Sequence, residues 1–358
     1  MEEWIKCPLG DILNFRRGHD LPKTSMVPGD IPVAGSNGII GFHNVSTPIS
    51  PCITIGRSGN VGTPYIYDIC WAHNTVLYID DYKGNDPKYL YYLLKTLPLA
   101  SFGGGSAVPT LNRNHIHPME VIFCKDTELQ KKIAGILSKI DDKIELNRQI
   151  NDNLEQQASS LLSDWISTYP CRTYKLSDIC KYANAKCETG NLIPQNYIST
   201  ENMLPNKKGI VEASNIPTGK ATCYKVDDVL IANIRPYFQK IWKADINGGC
   251  SADVLCIRAN IESHSPILYW LLHQDAFFEY VMTGAKGCKM PRGDKQHIMN
   301  WSIDLPEVQY WADLATQLGS IDQQIAYNRI ESINLSNLRD TLLPKLMSGE
   351  LEINEIDC

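Results

Sequence analysis

The sequence predicts an α+β fold in which a mixed unit of strands and short helices occurs twice, each copy followed by one long helix. Three observations give this prediction. Short apolar runs such as Cys-Ile-Thr-Ile at 52–55 alternate with clusters of Gly, Pro and Asn, which is typical of strands and turns. Apolar residues recur every three or four positions over 133–165 and 311–342, which indicates amphipathic helices. Similar segments also recur in the same order, about 180 residues apart.

The repeat is visible as a series of weak matches. Tyr-Leu-Tyr-Tyr-Leu-Leu-Lys at 89–95 matches Ile-Leu-Tyr-Trp-Leu-Leu-His at 267–273, an offset of 178. Ile-Asp-Asp-Lys-Ile at 140–144 matches Ile-Asp-Gln-Gln-Ile at 321–325, an offset of 181. The order is kept while the offset changes by only a few residues, so we infer a tandem duplication. One shorter amphipathic helix is expected inside each copy, around 86–97 and 265–282.

The first long helix is predicted to open at a capping box, Thr127-x-x-Gln130, and to end before Pro170. The second is predicted to begin near Pro306, with Pro344 ending or kinking it and Gly349 following as a stop.

Each helix has about 35–40 residues, or roughly 55–60 Å, which is longer than a small domain. The two apolar stripes are therefore expected to pack on each other as an antiparallel coiled coil, with the two mixed domains related by a pseudo-twofold axis.

This organisation divides the chain into four segments. We expect a first mixed domain at 1–125, a first long helix at 126–169, a second mixed domain at 170–305, and a second long helix with a tail at 306–358. The net charge of -6 is unevenly distributed, since the two helical segments carry -3 and -6 and the two domains carry 0 and +3. Either domain can therefore present a local surface to phosphate.

Composition and motifs exclude several classes of protein. With 43% hydrophobic residues, no apolar run near 18 residues and no secretory signal, a globular cytosolic protein without a membrane segment is expected. Twelve scattered cysteines without zinc-ligand spacing predict reduced thiols and no metal site. No phosphate-binding loop, nucleophile elbow or Asn-Pro-Pro-aromatic motif occurs, and the adjacent carboxylates Asp141 and Asp142 are expected to be solvated. No catalytic residue or cofactor site is therefore predicted.

Loops rich in Gly, Asn and basic residues are the candidate functional sites. Asn37-Gly38 predicts a hairpin with a type I′ turn, and the loop at 56–62 offers Arg57 together with backbone amides. The loops at 233–240 and 285–292 correspond to those at 56–62 and 103–113 in the repeat. Candidate DNA contacts are Ser36, Asn37, Arg57, Ser58, Asn60, Ser106, Asn112, Arg113, Arg235, Tyr237, Gln239, Lys240, Lys286, Lys289 and Arg292.

Three motifs resemble the specificity subunit of type I restriction–modification systems. They are the Gly-Asp-Ile-Pro-Val-x-Gly-Ser-Asn-Gly segment that opens at Gly29, the Ile-Asp-Asp-Lys-Ile-x-x-Asn-Arg segment at 140–148, and Leu-Leu-Pro-Lys-Leu-Met-Ser-Gly-Glu at 342–350. The resemblance implies two target-recognition domains, each reading one half of a bipartite, asymmetric double-stranded DNA target, separated by the two long helices. It also implies a non-catalytic chain that recruits two methylating subunits, which bind S-adenosylmethionine, and restriction subunits, which use ATP and Mg²⁺.

Two other classes of protein remain open at this stage. The chain could be a single-chain DNA methyltransferase or nuclease fragment, in which case the purified protein alone would methylate or cut DNA. It could also be a non-catalytic coiled-coil adaptor, in which case DNA binding would be insensitive to sequence and to salt.

Overall fold

The computed structural model describes residues 3–103, 110–351 and 353. The chain divides into two compact units. Unit 1 consists of Met1–Leu146 and Glu331–Cys358, and unit 2 consists of Asn147–Ile330. Both long helices contribute residues to each unit.

Unit 1 contains nine strands and four helices in its described residues. They are β1 Trp4–Pro8, α1 Leu9–Ile12, β2 Asn14–Arg17, β3 Ile31–Gly35, β4 Gly38–His43, β5 Cys52–Gly56, β6 Pro64–Tyr67, β7 Trp71–Ala72, β8 Val76–Asp81, α2 Pro87–Thr96, α3 Arg113–Ile116, β9 Glu120–Cys124 and α4 Thr127–Thr168, which continues into unit 2. An antiparallel sheet has the order β2-β8-β5-β6, a smaller sheet has the order β4-β3-β7, and β1 pairs with β9. The main core forms where apolar residues of the larger sheet meet α2 and the beginning of α4.

Unit 2 repeats this plan with additional strands. Its elements are β10 Cys171–Lys175, α5 Leu176–Ile179, β11 Cys180–Tyr182, β12 Lys186–Glu188, β13 Tyr197–Ile198, β14 Lys220–Tyr224, β15 Val229–Ala232, β16 Ile241–Lys243, β17 Gly248–Cys250, β18 Val254–Ala259, α6 Ser265–Leu272, α7 Asp275–Thr283, α8 Lys295–Met299, β19 Ser302–Pro306 and α9 Trp311–Ser348, which continues into unit 1. One four-stranded sheet has the order β11-β18-β15-β16, a second four-stranded sheet has the order β12-β14-β17-β13, and β10 pairs with β19.

The two units have a similar order of elements, as a tandem duplication predicts. In each unit the first and last strands pair antiparallel, and a four-stranded antiparallel sheet follows a four-residue helix. The single helix predicted around 265–282 is wrong, since α6 and α7 are separate. Gln274 has an extended backbone with ψ of 149°, and this break turns the chain so that Phe277 and Phe278 are buried.

In unit 1, the beginning of α4 packs against the end of α9. Arg339 Nη1 lies 2.7 Å from Asp141 Oδ1, and Lys143 Nζ lies 3.1 Å from Glu331 Oε2. The residue number rises along α4 while it falls along α9, so these segments run antiparallel. The expectation that Asp141 is solvated is therefore wrong, because its carboxylate pairs with a cation 198 residues away.

In unit 2, the remaining parts of the same two helices are also antiparallel. Trp165 Nε1 donates to the Tyr310 carbonyl at 2.9 Å, and Asn328 Nδ2 donates to Asn151 Oδ1 at 2.8 Å. Asn328 is only 3% exposed. A buried asparagine thus lies between the two helices, and its amide is bonded across the helix pair.

The helix ends differ from the predictions in three details. The predicted capping box is wrong, because Asp126 Oδ1 accepts from the backbone of Glu128 at 2.8 Å and caps α4. The predicted start near Pro306 is wrong, because that residue ends β19. Pro344 lies inside α9 and does not end it. The predicted stop at Gly349 is confirmed by its φ of +73°.

Candidate nucleic-acid interface

In unit 1, the hairpin of β3 and β4 turns at Ser36 and Asn37, which we call the Ser36 turn. The strands close at the pair Gly35 and Gly38, and Gly38 has a φ of +95°. A type I′ turn requires positive φ at both turn residues, and neither Ser36 nor Asn37 has it. The predicted turn type is therefore wrong, and Gly38 is the left-handed residue that follows the turn. Asn37 is exposed at the tip of the hairpin.

The loop at 56–62, which we call the Arg57 loop, lies against the Ser36 turn. A Cβ atom added to Gly56 would lie 1.7 Å from the Asn60 carbonyl oxygen and 3.4 Å from Ser36 Cβ, so only glycine fits this contact. The amides of Arg57 and Ser58 both donate to the Thr75 carbonyl, at 2.8 and 3.2 Å. The sequence predicts backbone amides of this loop as phosphate contacts, and these two amides are instead bonded within unit 1.

A third segment of unit 1 completes this group of candidate residues. The Leu111 amide donates to the Arg57 carbonyl at 2.7 Å. Asn112 Oδ1 accepts from the Asn114 amide at 3.0 Å and caps α3, while Arg113 Nη1 donates to the Phe15 carbonyl at 3.2 Å. The structure thus places the Ser36 turn, the Arg57 loop and the beginning of α3 next to one another. Predicted residue Ser106 lies outside the described residues.

In unit 2, the two equivalent loops also meet. We call residues 233–240 the Arg235 loop and residues 285–294 the Lys286 loop. The Arg235 amide donates to the Pro291 carbonyl at 2.8 Å, and Ile234 forms an isolated β-bridge with Arg292. Repeat-related residues therefore come together in both units, through loops of different sequence.

Among the predicted residues of the Arg235 loop, two have side chains that are hydrogen-bonded to the protein and one has an exposed side chain. Gln239 Nε2 donates to Asp275 Oδ1 at 3.1 Å, and Lys240 Nζ donates to the Thr200 carbonyl at 2.6 Å. Burial lowers the pKa of Lys240. Tyr237, in contrast, is 49% exposed.

The Lys286 loop contains the predicted basic residues, and two of them are already paired. Lys286 forms an ion pair with Asp294, and Arg292 Nη2 lies 3.2 Å from Asp253 Oδ1. The Lys286 ammonium and backbone amides of α8 lower the pKa of Asp294 to about 2. Lys289 is exposed and has no partner among the described residues.

Two residues were missed from the sequence, one within the Arg235 loop and one near the Arg57 loop. Phe238 is 37% exposed beside Tyr237. Its position next to a candidate aromatic residue could have identified it from the sequence. Arg17 Nη2 lies 3.4 Å from Asp20 Oδ1, which also accepts from Asn74, and the Asn74 carbonyl lies 3.4 Å from Arg57 Nη1. No sequence pattern connects Arg17 to the Arg57 loop.

Within residues 3–103, 110–351 and 353, no group of three or more His, Cys, Asp or Glu side chains is arranged to hold a metal ion. The same residues contain no helix with both the length and the apolar composition needed to cross a bilayer. That this chain binds no cofactor stays a prediction.

In each unit, the Arg57 or Arg235 loop thus joins two strands of a four-stranded antiparallel sheet and contacts a second loop, an arrangement suited to contacting the edges of bases and phosphates. Residues 1–156 match the family described as type I restriction modification DNA specificity domain. The chain is 25% identical over 313 residues to the type I restriction enzyme MjaIX specificity subunit of Methanocaldococcus jannaschii, covering 75% of this chain and 70% of that protein. It is 22% identical over 389 residues to the putative type I specificity subunit S.MgeORF438P of Mycoplasma genitalium, covering 98% and 95%.

The fold has a counterpart among solved structures. The crystal structure of the type I restriction–modification system S subunit from M. genitalium matches with a TM-score of 0.63 at 17% identity, covering 96% of both chains. The mixed α+β fold with a long C-terminal helix is therefore confirmed. Residues 1–156 thus match the type I DNA specificity domain, and most of the chain is similar to type I specificity subunits, so the resemblance inferred from its motifs is confirmed.

Proposed function

We propose that this chain selects the DNA sequence on which a type I restriction–modification complex acts. Each unit reads one half of a bipartite, asymmetric double-stranded target. The domains at 1–125 and 170–305 do the reading, and the long helices that lie within 126–169 and 306–358 form an antiparallel coiled coil that sets the spacing between the two half-sites.

The main observation behind this proposal is that the same two loops are in contact in both units, although the side chains on these loops differ between the units. The Arg57 carbonyl bonds to Leu111 in unit 1, and the Arg235 amide bonds to Pro291 in unit 2. The surrounding residues are Ser, Gly and Asn in the first unit and Pro, Tyr, Phe and Gln in the second. One backbone frame with two different surfaces suits a target whose halves differ, whereas two identical surfaces suit a palindrome.

The long helices also have features of a docking surface. Unit 1 exposes Leu146, Ile333 and Leu338 on its helical segments, and unit 2 exposes Tyr327 and Ile330. Large apolar side chains exposed on helices favour a protein partner over DNA. We propose that two methylating subunits dock here with S-adenosylmethionine, and that restriction subunits bring ATP and Mg²⁺. The complex is expected to act in the cytoplasm.

The direct test is to co-express the chain with its methylating subunit and map methylated adenines across the host genome. We expect one asymmetric motif of two short specific halves separated by unspecified bases. Methylation or cleavage by the purified chain alone, or methylation without a shared motif, would contradict the proposal.

The spacing role has its own test. Four residues inserted into α4 within 133–161, with four matching residues in α9 within 311–342, add about one helical turn to each helix. We expect the unspecified spacer of the methylated motif to change while both specific halves stay the same. An unchanged spacer in a properly folded complex would show that the helices do not set this distance.

A further inference from the structure

An exposed aromatic pair lies on the Arg235 loop of unit 2. Tyr237 and Phe238 are 49% and 37% exposed, and their ring centroids lie 4.7 Å apart. The two residues that follow are bonded to protein acceptors, Gln239 to Asp275 and Lys240 to Thr200. The loop therefore leaves its two rings exposed while its amide and ammonium groups are held by the protein.

The backbone that carries this pair is held in an unfavourable conformation. Arg235 and Gln239, which bracket the pair, have φ values of +52° and +51°. The Arg235 amide donates to the Pro291 carbonyl at 2.8 Å, and the Phe238 carbonyl accepts from the Asn206 amide at 2.8 Å. Residues other than glycine rarely adopt this conformation and keep it only where their surroundings impose it. The two rings are thus fixed on a rigid turn.

The surroundings of the pair suit a polyanion that also has aromatic faces. Lys240 Nζ lies 5.9 Å from the centroid of the Phe238 ring. Arg235 Nε is buried without a hydrogen-bond partner, and Lys289 of the neighbouring loop is exposed. Cations attract the phosphates of DNA, and exposed rings stack on its bases.

The equivalent Arg57 loop of unit 1 has no aromatic residue. Its sequence from Arg57 continues Ser-Gly-Asn, and Gly59 has a φ of +86°. The aromatic pair therefore belongs to one unit only.

We propose that Tyr237 and Phe238 form a wedge that stacks on a base step of the half-site bound by unit 2 and partly unstacks the duplex there. Aromatic and apolar side chains inserted at base steps open and kink DNA. Unit 1 has no such pair and leaves its half-site stacked at the equivalent step. This inference rests on the proposed function, because it requires unit 2 to bind DNA.

The test uses the complete complex with its methylating subunits and a duplex that carries the mapped target. Permanganate oxidises unstacked thymines, and every methylated adenine supplies a thymine on the opposite strand. In the unit 2 half, we expect Tyr237→Leu and Phe238→Leu to reduce thymine reactivity to that of free duplex and to weaken binding about tenfold, the lower part of the range for loss of one stacked base. Reactivity in the other half should not change.

Two further variants separate stacking from other effects. Tyr237→Phe keeps the ring and should keep the thymine reactivity of the unit 2 half. Tyr169→Leu removes an exposed tyrosine that lies in unit 2 outside both loops and stacks 4.3 Å from Tyr310. It should leave binding and reactivity unchanged. Loss of reactivity in Tyr237→Phe would assign the effect to the hydroxyl group and overturn the wedge.

The remaining outcomes separate the wedge from the proposed function. If folded Leu variants keep the original permanganate pattern and affinity, the wedge is wrong and sequence selection by the chain stands. If the unchanged complex prefers no DNA sequence at all, the proposed function itself is wrong.

Discussion

In both units a short helix, α2 in unit 1 and α6 in unit 2, is hydrogen-bonded to a long helix at an equivalent position. The side chains that make the bond differ. In unit 1, the Tyr92 hydroxyl donates to Asp141 Oδ2 at 2.8 Å. In unit 2, Trp270 Nε1 donates to Asp322 Oδ1 at 2.8 Å. Both members of each pair match in the sequence repeat, so a carboxylate on the long helix holds an aromatic donor on α2 or α6.

The cation that balances this carboxylate comes from a different place in each unit. Arg339 of α9 lies 2.7 Å from Asp141, whereas Lys243 of β16 lies 2.6 Å from Asp322. The side chains of Asp322 and Lys243 are 11% and 12% exposed, against 28% for Asp141. Burial raises the pKa of Asp322. The repeat thus keeps the carboxylate and its aromatic donor, while the counter-charge is supplied by whichever element lies nearby.

The largest expected effect tests this difference in burial. Asp322→Ala should lower the free energy of unfolding of unit 2 by about 3 kcal/mol, because it removes one of the two carboxylates paired with a nearly buried ammonium group and the acceptor of the Trp270 indole. Asp141→Ala should cost unit 1 about 1 kcal/mol, because water reaches that pair. Hydrogen exchange of peptides from each unit measures both values. Asp142→Ala, at an exposed neighbouring carboxylate, is the control, and equal costs at Asp141 and Asp322 would contradict the comparison.

The second prediction concerns a position at which the two units carry different basic side chains. Lys95 of unit 1 corresponds to His273 of unit 2, which packs 4.9 Å from the Trp270 ring. Burial, with a smaller effect of Lys207, lowers the pKa of His273 from 6.5 to about 3.

Between these two pH values the unfolded chain binds a proton at His273 that the folded unit 2 does not. Stability contributed by the neutral ring is therefore present above pH 6.5 and falls by about 1.4 kcal/mol for each pH unit below it, down to about pH 3. His273→Gln should remove this part of the pH dependence from unit 2 and leave unit 1 unchanged. An identical pH profile in the variant would show that the ring is protonated in the folded protein.

The third prediction compares a candidate base contact in unit 1 with a candidate phosphate contact in unit 2. Arg57→Ala should reduce discrimination at one half-site about tenfold, because arginine reads base edges. Lys289→Ala should weaken binding to all sequences and lower the slope of log affinity against log salt by about 1. Binding to a library of targets at several salt concentrations distinguishes the two. Loss of discrimination in both halves with Arg57→Ala would contradict the assignment of one half to each unit.

The smallest expected effect concerns the caps of the two short equivalent helices. Neutral Asn112 caps α3, whereas charged Asp294 caps α8 and pairs with Lys286. Lys286→Ala should raise the pKa of Asp294 from about 2 towards 3.8, as followed by NMR of its carboxyl carbon. Lys295→Ala is the matched control, because Lys295 stacks over Tyr182 instead. An unchanged pKa would assign the whole shift to the helix amides.

The repeated elements were predictable from the sequence because residues that contact each other recur together. Asp141 with Tyr92 and Asp322 with Trp270 preserve one contact, so the matches keep their order. Contacts that occur in only one copy could not be predicted from the sequence. Arg339 pairs with Asp141, but no sequence pattern links the two positions.

Local rules failed where packing was stronger than propensity. Proline normally ends a helix, yet α9 continues past Pro344 because Leu343, Leu346 and Met347 of that turn are 7%, 0% and 3% exposed in the core of unit 1. The candidate loops were predictable as a group, since their equivalents recur. Which of their side chains are exposed was not, because Gln239 and Lys240 are held by Asp275 and Thr200, elsewhere in unit 2.

The buried amide of Asn328 has a consequence for how the helix pair can vary. Its hydrogen bond to Asn151 exists at a single alignment of α4 and α9, and sliding one helix by a turn would leave polar groups without partners in an apolar seam. Gradual slippage is thereby disfavoured. A change in the alignment of the two helices would therefore require new hydrogen-bond partners for both asparagine side chains.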